Sequence, residues 1–318
     1  MESFFKDKII LITGGAGTFG TKMTERLLND YPEIKLIRIF SRNEKSHWEH
    51  KYRFNNDHRL QYIIGDVRDY QAVDEATIGV DYIFHAAAMK HIDKCAENPL
   101  ECIKTNVIGS TNITTAAIKN KVKKVVLLST DKATKASTTY GSSKFLMERL
   151  AFEINNRDTE FVITRYGNVV GSNGSVIPRF LDLASKGKPL TVTDPYMTRF
   201  FMTQDEAVSL VLYACIYGMH GDLIVYNNKA TTLKELADHI SPNQTVVGLR
   251  TIEKTDEELL TYQELNHSVL TDDKKYYIVS KNVVNSNQHT HGITSDNCER
   301  LTSQEIKELI RSVKNEIK

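Results

Sequence analysis

The chain has 318 residues, of which 41% are hydrophobic and 25% charged, with a formal net charge of +1. This composition is that of a soluble globular protein with one large or two modest domains, and the near-zero charge excludes an electrostatic case for nucleic acid or an anionic membrane as partner. Four scattered cysteines predict neither a zinc site nor a disulfide framework, so we expect no metal. A charged N-terminus precedes the first strand candidate, and apolar runs stay short of the roughly 20 residues that span a bilayer. We therefore expect a cytoplasmic protein.

Short apolar, β-branched runs alternate with amphipathic stretches through the first half of the chain. The strand candidates are Lys8–Thr13, Lys35–Phe40, Leu60–Ile64, Tyr82–His85, Lys123–Ser129 and Phe161–Arg165. Helical patterns between them are clearest at Lys22–Asn29, Thr105–Lys119 and Tyr140–Ile154. Near-continuous hydrophobicity is typical of parallel strands that are covered on both faces. The alternation therefore predicts an α/β, Rossmann-like doubly wound parallel sheet.

After Arg165 the pattern is looser, with Gly and Pro punctuating Gly171–Pro195 and a polar, irregular stretch at Tyr262–Asn297. We predict three further elements, a helix at Gln204–Tyr217, a strand at Asp222–Tyr226 and a terminal helix at Leu301–Lys318. The predicted division is a dinucleotide-binding domain at residues 1–167, to which about 203–230 returns, and a smaller interleaved substrate-binding portion at 168–202 and 231–318.

A glycine-rich turn follows the first strand directly. Gly14, Gly17 and Gly20 form a G-x-x-G-x-x-G pattern, with Thr18 and Phe19 opening the helix that follows. Glycines at these positions permit a tight turn and a close approach of the backbone to a pyrophosphate, and the helix N-terminus adds amide donors. At the first strand–helix junction of a βαβ unit, this pattern predicts a dinucleotide site.

The end of the second strand reads Ser41-Arg42-Asn43, where an NAD-specific site usually has an acidic residue. A hydroxyl and a cation suit a 2′-phosphate, so we predict NADP, although Arg42 can also be an ordinary solvated loop charge. Asp66 and Val67 follow the third strand, where we expect the adenine, and Ala86 and Ala87 follow the fourth, with small side chains beside the dinucleotide.

The stretch from Ser129 to Lys144 holds two sets of chemical groups. Tyr140 and Lys144 are four residues apart, so on a helix both side chains lie on one face, and the ammonium lowers the pKa of the phenol. This pair suits the oxidation of an alcohol. Asp131 and Lys132 add an acid and a base that alcohol oxidation does not need, which indicates a reaction of several steps. The alternatives are a surface ion pair at 131–132 and a half-buried structural tyrosine.

With these motifs together, the chain resembles the extended short-chain dehydrogenase/reductase superfamily. Further segments resemble one subfamily, the bacterial UDP-N-acetylglucosamine 4,6-dehydratases that invert C5 and serve flagellin glycosylation and capsule or surface-polysaccharide pathways. Those segments are Ala88-Met89-Lys90-His91, Asn98-Pro99-Leu100-Glu101, Thr105-Asn106-Val107-Ile108-Gly109, Ser129-Thr130-Asp131-Lys132-Ala133, Arg165-Tyr166-Gly167-Asn168-Val169-Val170-Gly171-Ser172 and Asp194-Pro195-Tyr196-Met197-Thr198-Arg199-Phe200. The resemblance covers about residues 7–260.

The resemblance implies NADP as cofactor, UDP-N-acetylglucosamine as substrate and a homo-oligomer. The implied catalytic residues are Thr130, Asp131, Lys132, Tyr140 and Lys144. The implied cofactor contacts are Gly14, Gly17, Thr18, Phe19, Gly20, Ser41, Arg42, Asn43, Glu44, Lys45, Asp66, Val67, Ala86, Ala87, Lys90, Asn106, Tyr140, Lys144, Val169, Val170 and Gly171. The implied substrate contacts are Lys90, Asn168, Val176, Thr193, Arg199, Arg250 and Glu253. The chain departs from the family at Asn173, where the family has arginine, and at Thr251-Ile252, where it has Pro-Gly.

In the implied reaction, Tyr140 removes the O4 proton, Lys132 the C5 proton, and Asp131 protonates the departing O6 hydroxyl, which gives a UDP-4-keto-6-deoxy-hexosamine. We expect a depressed pKa for Lys132, from desolvation and cationic neighbours, and Arg199 to bind the pyrophosphate bidentately. Two alternatives remain open. A UDP-sugar 4-epimerase needs Tyr140 and Lys144 but no acid–base pair for C5 and C6. A non-catalytic NADP-sensing regulator commonly loses the tyrosine or the lysine, and this chain keeps both.

Overall fold

The structure, a computed structural model, describes residues 3–156, 158–172, 174–249, 253–284 and 288–317. The strands are β1 (Ile9–Thr13), β2 (Leu36–Ser41), β3 (Leu60–Ile64), β4 (Tyr82–His85), β5 (Lys124–Leu128), β6 (Glu160–Arg165), β7 (Asn168–Val169), β8 (Leu190–Val192), β9 (Thr198–Met202), β10 (Leu223–Tyr226), β11 (Ala230–Thr232), β12 (Gln244–Val246), β13 (Glu258–Leu260), β14 (Ser268–Leu270), β15 (Tyr276–Val279) and β16 (Ile293–Thr294).

The helices are α1 (Thr18–Asp30), α2 (Glu44–Arg53), α3 (Tyr70–Thr77), α4 (Ile92–Glu97), α5 (Pro99–Ile103), α6 (Gly109–Lys119), α7 (Thr139–Glu153), α8 (Val176–Ser185), α9 (Gln204–Tyr217), α10 (Leu233–Asp238), α11 (Tyr262–Asn266) and α12 (Ser303–Ile317). A π-helical turn at Lys104–Ile108 joins α5 to α6, and a 3₁₀ turn at Asp131–Ala133 follows β5. None of the helices in the described ranges is long and apolar enough to cross a membrane.

Nine strands form the central sheet, in the order β14-β15-β10-β6-β5-β4-β1-β2-β3. The seven strands from β10 to β3 pair in parallel, and β15 and β14 continue the sheet antiparallel. The order reverses between β1 and β4, which creates the crevice where α/β sheets of this kind bind ligands, outside the carboxyl ends of the strands. The predicted Rossmann-like fold is confirmed.

Alternate residues of each central strand enter opposite cores, as the strand period of two requires. Leu11 of β1 packs into the core on one face, while its neighbours Ile10 and Ile12 pack into the core on the other. Val125 and Val126 of β5 divide in the same way. Because both faces are covered by helices, the strands are apolar almost throughout, which is why they are readable in the sequence.

A smaller portion of the molecule has short sheets of its own. It contains the three-stranded sheet β11-β9-β7 and the pairs β12-β8 and β13-β16. Two further apolar clusters hold it together, one around α8 and α12 and one around α8 and β8. The polar stretch predicted to be irregular contains α11, β14, β15 and β16, and β14 and β15 extend the main sheet.

Candidate active site

The turn after β5 places the first catalytic candidates at the carboxyl edge of the sheet. Asp131 N donates to the Tyr166 carbonyl at 3.0 Å, which fixes the turn against the strand beside it. The hydroxyl of Thr130 caps the 3₁₀ turn, accepting from Lys132 N at 3.5 Å and donating to Asp131 Oδ1 at 2.9 Å. Asp131 is fully buried, so Asp131 and Lys132 are not the surface ion pair considered as an alternative.

Helix α7 brings Tyr140 and Lys144 to this turn. Thr138 caps the helix by accepting from Gly141 N at 3.1 Å. A Cβ at Gly141 would collide with the carbonyl oxygen of Lys132, so the glycine lets the first turn of α7 lie directly against the catalytic turn. The short spacing between the two motifs in the sequence therefore becomes direct packing in space.

The protonation of the Tyr140–Lys144 pair differs from the expectation of a lowered phenol pKa. Burial raises the pKa of Tyr140, against the lowering effect of its hydrogen bond with Thr130. The Lys144 ammonium donates to the Leu128 carbonyl at 2.7 Å. Burial lowers the pKa of Lys144 to about 8, although the Glu148 carboxylate acts in the opposite direction. The pair therefore consists of a protonated phenol and a lysine that titrates near neutral pH.

Lys132 lies in an acidic environment, which corrects the predicted depressed pKa. Its Nζ donates to Asp131 Oδ1 at 2.9 Å and to Asn168 Oδ1 at 3.1 Å, and Glu257 Oε1 lies 3.6 Å away. Burial alone lowers the pKa of Lys132, but the carboxylates of Asp131 and Glu257 outweigh it, so the pKa is raised. The expected cationic neighbour, Arg199, has the smaller effect.

Glu257 is a residue of the site that sequence reasoning missed. It precedes β13 and is 5% exposed. Burial raises the pKa of Glu257, and Asp131 adds to the rise against the opposing effect of Lys132. The available signal was a polar run, Glu253 to Glu258, directly before the apolar strand residues Leu259 and Leu260. That run alone does not indicate which carboxylate turns inward.

A cavity of about 160 Å³ opens between the two portions of the molecule. Lys132, Asn168, Arg199, Glu253 and Glu257 are among the residues that line it, so the structure brings together catalytic and substrate candidates from both portions. The volume is below the roughly 300 Å³ of a typical small-molecule pocket, so a ligand of ordinary size would extend beyond this cavity.

Arg199, the predicted bidentate pyrophosphate ligand, forms three hydrogen bonds with the backbone. Its Nη1 donates to the carbonyls of Thr198 and Thr255 at 2.7 and 2.9 Å, and its Nη2 to that of Lys254 at 2.7 Å. These bonds fix the backbone at 254–255 beside the cavity. The guanidinium therefore has a structural contact there and also contributes its positive charge to the cavity.

The remaining substrate candidates have different positions. Val176 begins α8 and packs against the two smaller cores, and Thr193 follows β8. Lys90 is exposed after β4. Arg250, like the departure at Asn173, lies outside the described residues.

The glycine turn has the geometry that a dinucleotide needs. Gly14 has φ +65°, and a Cβ there would lie 3.0 Å from Ala87 N. A Cβ at Gly20 would collide with the Gly15 backbone, so α1 can begin at Thr18 close against the strand. These positions leave the backbone bare at a helix N-terminus, which fits the pyrophosphate of a nicotinamide dinucleotide. Phe19 packs against the core on the inner side.

The end of β2 leads directly into α2. Ser41 Oγ lies 2.5 Å from His47 Nε2, and Asn43 caps the helix by accepting from Ser46 N at 2.9 Å. Arg42 is 58% exposed at its side chain and lies 3.8 Å from Asp66 Oδ2. The other two cofactor candidates lie on α2. Glu44 is in its first turn, and Lys45 pairs with Glu49 at 3.7 Å.

The other cofactor candidates line the crevice or support it. The Asp66 carboxylate accepts three hydrogen bonds from Arg68, and Ala87 N donates to Thr13 Oγ1 at 3.2 Å, next to Ala86. Asn106 is fully buried, and its amide bonds both backbone groups of Met89. Four candidates have packing or turn roles. They are Val67 against Gly109, Val170 in the core with Val169 beside it in β7, and Gly171 in a turn with φ +73°.

Residues 10–281 match the family described as "Polysaccharide biosynthesis protein". A relative from Rickettsia massiliae, named UDP-glucose 4-epimerase, is 42% identical over 330 residues, which cover 96% of each chain. The X-ray structure of Pen from Bacillus thuringiensis has a TM-score of 0.89 at 34% identity and covers 97% of this chain and 99% of its own. The dTDP-glucose 4,6-dehydratase DesIV from Streptomyces venezuelae, solved with NAD and TYD, shares the fold, with a TM-score of 0.71 at 23% identity over 78% and 86%.

The fold and the site together define an enzyme of the nucleotide-sugar epimerase and dehydratase class. Within that class, the chain belongs to the polysaccharide biosynthesis protein family. The predicted fold is thus shared with the solved structures, and the predicted superfamily stays a prediction. The narrower assignment to dehydratases that invert C5 stays a prediction.

Proposed function

We propose that the protein is a UDP-N-acetylglucosamine 4,6-dehydratase that inverts C5. One observation carries this proposal. Asp131 and Lys132 form a buried acid–base pair with Glu257 at the cavity, beside the Tyr140–Lys144 pair. A 4-epimerase moves one proton and one hydride at C4 and has no use for further buried acids and bases. A 4,6-dehydratase must also remove a proton at C5 and protonate the oxygen that leaves C6.

The first chemical task is deprotonation at O4. The nicotinamide would accept hydride from C4 and later return it to C6. Tyr140 is buried beside Thr130, with the buried Lys144 one helical turn further along α7. Its phenol would first give its proton to the Lys144 amine, and the resulting phenolate would receive the O4 proton as C4 is oxidised. Because the pKa of Lys144 is lowered to about 8, Lys144 can release or accept a proton near neutral pH and so exchange one with the Tyr140 site.

The second task is the loss of water across C5 and C6. Lys132 is held by Asn168 and Asp131 and faces the cavity, where its amine form would take the C5 proton. Asp131, whose Oδ2 accepts no hydrogen bond from the described residues, would protonate the departing O6 hydroxyl. Returning a proton to the opposite face of C5 gives the inverted 4-keto-6-deoxy sugar, which we assign to capsule or other surface polysaccharide.

For the cofactor we propose NADP. Arg42 stands at the end of β2 with its side chain largely in solvent, where its guanidinium can meet a 2′-phosphate. The proposal is tested by fluorescence titration with NADPH and NADH, in which Arg42→Ala should weaken NADPH binding and leave NADH binding unchanged. Equal affinity of the wild type for both dinucleotides would contradict it.

The second candidate is a UDP-sugar 4-epimerase, which the name of the Rickettsia massiliae relative favours. One proton NMR time course in D₂O separates the two functions, with UDP-N-acetylglucosamine and UDP-glucose as parallel substrates. A 4-keto-6-deoxy product carrying deuterium at C5 supports the dehydratase. A galacto product without deuterium at C5 supports the epimerase. Binding of the dinucleotide without turnover of either sugar would favour the sensor.

We also propose a homo-oligomer. Helix α7 packs beside α5 and the π-helical turn, and all three elements carry large apolar side chains that are exposed to solvent. Since contiguous apolar surface on a soluble protein marks an interaction site, a second copy of this chain is the proposed occupant. Light scattering should give a dimer or larger, and a monomer would contradict the proposal. The exposed apolar residues are Leu100, Ile103, Ile108, Phe145, Leu146 and Leu150.

A further inference from the structure

A second carboxylate faces Lys132 from a distant part of the chain. Glu257 Oε1 lies 3.6 Å from Lys132 Nζ and 3.9 Å from Arg199 Nε, and its Oε2 lies 3.9 Å from Lys254 Nζ. Within the described part of the chain, Oε2 accepts no hydrogen bond. A carboxylate that is almost fully buried at a cavity wall with an unbonded oxygen is costly unless that oxygen has a partner during function.

The backbone holds Glu257 in this position. Its N–H donates to Ser295 Oγ at 2.9 Å, and Ser295 N donates to the Glu257 carbonyl at 2.8 Å. Lys254 Nζ donates to the Thr134 carbonyl at 3.0 Å, which ties the same segment to the loop after the catalytic turn. The carboxylate is therefore presented to Lys132 by a fixed wall, as a preorganised acid–base group requires.

The charges explain why Lys132 needs such a partner. As an ammonium, Lys132 cannot take a proton, and Asp131 at 2.9 Å stabilises the ammonium form. Asp131 already has a task at O6 in the proposed function. When two carboxylates share one cation in a desolvated site, one of them holds a proton more readily than in water. Glu257 is the carboxylate that can alternate with Lys132.

We propose that Glu257 is the proton partner of Lys132 in the C5 step, an inference that rests on the proposed dehydratase function. The Lys132 ammonium gives one proton to the Glu257 carboxylate, which leaves a neutral amine and a carboxylic acid. The amine takes the C5 proton, and the electron pair of the C5–H bond forms the C5–C6 double bond. The C6–O6 pair leaves with the oxygen, which the acid form of Asp131 protonates to water. When hydride adds to C6, the electron pair of the C5–C6 double bond moves to C5, which takes one proton from the Lys132–Glu257 pair. The remaining proton stays on Lys132, which restores the ammonium and the carboxylate.

The test compares Glu257→Gln with a matched control, Glu258→Gln, in the full-length protein. Glu258 is the next residue and is equally buried, but it pairs with Lys135 at 2.9 Å instead of Lys132. With UDP-N-acetylglucosamine in D₂O, we expect Glu257→Gln to slow deuterium incorporation at C5 by about 100-fold or more. Reduction of the bound cofactor in the first step should persist. Glu258→Gln should match the wild type, and Glu257→Asp should recover part of the rate.

The pH profile gives a second readout. Glu257 is surrounded by Asp131, Lys132, Arg199 and Lys254, and in Glu257→Gln one ionisation of this group is lost. We therefore expect kcat for dehydration to lose one limb of its pH profile in Glu257→Gln, while KM changes little. A purely structural role would lower kcat at all pH values alike.

The outcomes separate two failures. If the wild type yields only a galacto product without deuterium at C5, the dehydratase function is wrong and the role of Glu257 falls with it. If the wild type dehydrates and Glu257→Gln keeps its rate and pH profile, only the role of Glu257 is wrong. Loss of cofactor reduction together with C5 exchange in both Glu257→Gln and Glu257→Asp would make Glu257 a structural residue, which also overturns the inference.

Discussion

Two lysines at the carboxyl edge of the sheet, Lys144 buried and Lys132 half-buried, have opposite electrostatic settings. Lys144 donates to a backbone carbonyl and contacts Met147 Sδ at 3.6 Å, and burial lowers its pKa to about 8. Lys132 faces the carboxylates of Asp131 and Glu257, and its pKa is raised. Burial alone disfavours an ammonium in both places. The comparison shows that the charged groups around each ammonium, more than its burial, set the direction of its pKa shift.

A buried arginine maintains this difference. Glu148 lies one turn after Lys144 on α7, close enough to raise the pKa of Lys144. Its carboxylate is held instead by Arg165, through Nε at 3.0 Å and Nη2 at 2.6 Å. Arg165 also donates to Glu264 and to the Leu259 carbonyl at 2.9 Å, so one guanidinium joins α7, β6 and the segment that carries Glu257.

The largest effect is expected when each of the two ammonium groups is removed separately. If the two lysines serve different steps, Lys144→Met should slow cofactor reduction and C5 exchange together, by about 10²–10⁴-fold, because it disturbs the first proton transfer. Lys132→Met should slow C5 exchange by a similar factor while cofactor reduction persists. Absorbance of the reduced cofactor and NMR in D₂O report the two steps.

Lys135→Met serves as the control for these variants, since Lys135 follows the same turn but is 70% exposed at its side chain and pairs with Glu258. It should leave both rates near those of the wild type. Equal loss of both steps in Lys132→Met and Lys144→Met would show that the two sites act as one unit and would remove the basis of the comparison.

The next largest effect is expected from Arg165→Met. This substitution leaves the buried carboxylate of Glu148 unpaired and should lower the free energy of unfolding by about 3–5 kcal/mol. The freed carboxylate should also raise the pKa of Lys144 and shift the pH dependence of cofactor reduction upward. Chemical denaturation and a pH–rate profile measure the two effects.

Arg149→Met is the matched control, because Arg149 lies next to Glu148 on α7 but forms an exposed pair with Glu153. Exposed pairs of this type contribute about 0.3–0.5 kcal/mol. If Arg165→Met and Arg149→Met had equal effects on unfolding, Arg165 would not be the element that keeps the two lysine sites apart.

Local patterns in the sequence were sufficient for one of the two lysine sites. Tyr140, Lys144 and the glycine turn each follow a strand of a doubly wound sheet, so the period of the strands and the spacing of the motif fix their placement. Helix α7 begins within one residue of its predicted start, and β3 and β4 have their predicted bounds. These features depend on contacts between neighbouring elements of the chain.

The setting of Lys132 depends on residues that are remote in the sequence. Glu257 lies at the cavity, and Ser295 bonds its backbone, because β13 pairs with β16. These strands are three and two residues long and show no periodic pattern. Helix α8 was missed because it lies in a stretch read as irregular from its Gly and Pro residues. A sequence pattern identifies the lysine but not the second carboxylate, so the predicted direction of its pKa shift was wrong.

The smallest expected effect concerns folding stability as a function of pH. The pKa of Lys144 falls from 10.5 to about 8 on folding, so below about pH 8 the folded protein carries the full cost of the buried ammonium. Between these two values the unfolded chain binds more protons than the folded one, and wild-type stability rises with pH. This gap corresponds to about 3 kcal/mol. The rise should be missing in Lys144→Met.

Lys132→Met should behave differently in the same denaturation series from pH 7 to about 10. Because the folded pKa of Lys132 is raised, the stability that it contributes is fully present below 10.5 and is lost only as the pH rises through the folded pKa. The difference between Lys132→Met and the wild type should therefore stay constant over this range, whereas that of Lys144→Met changes steadily. Parallel pH dependence in the two variants would mean that the carboxylates of Asp131 and Glu257 do not set the charge of Lys132, and the role proposed for Glu257 would lose its electrostatic basis.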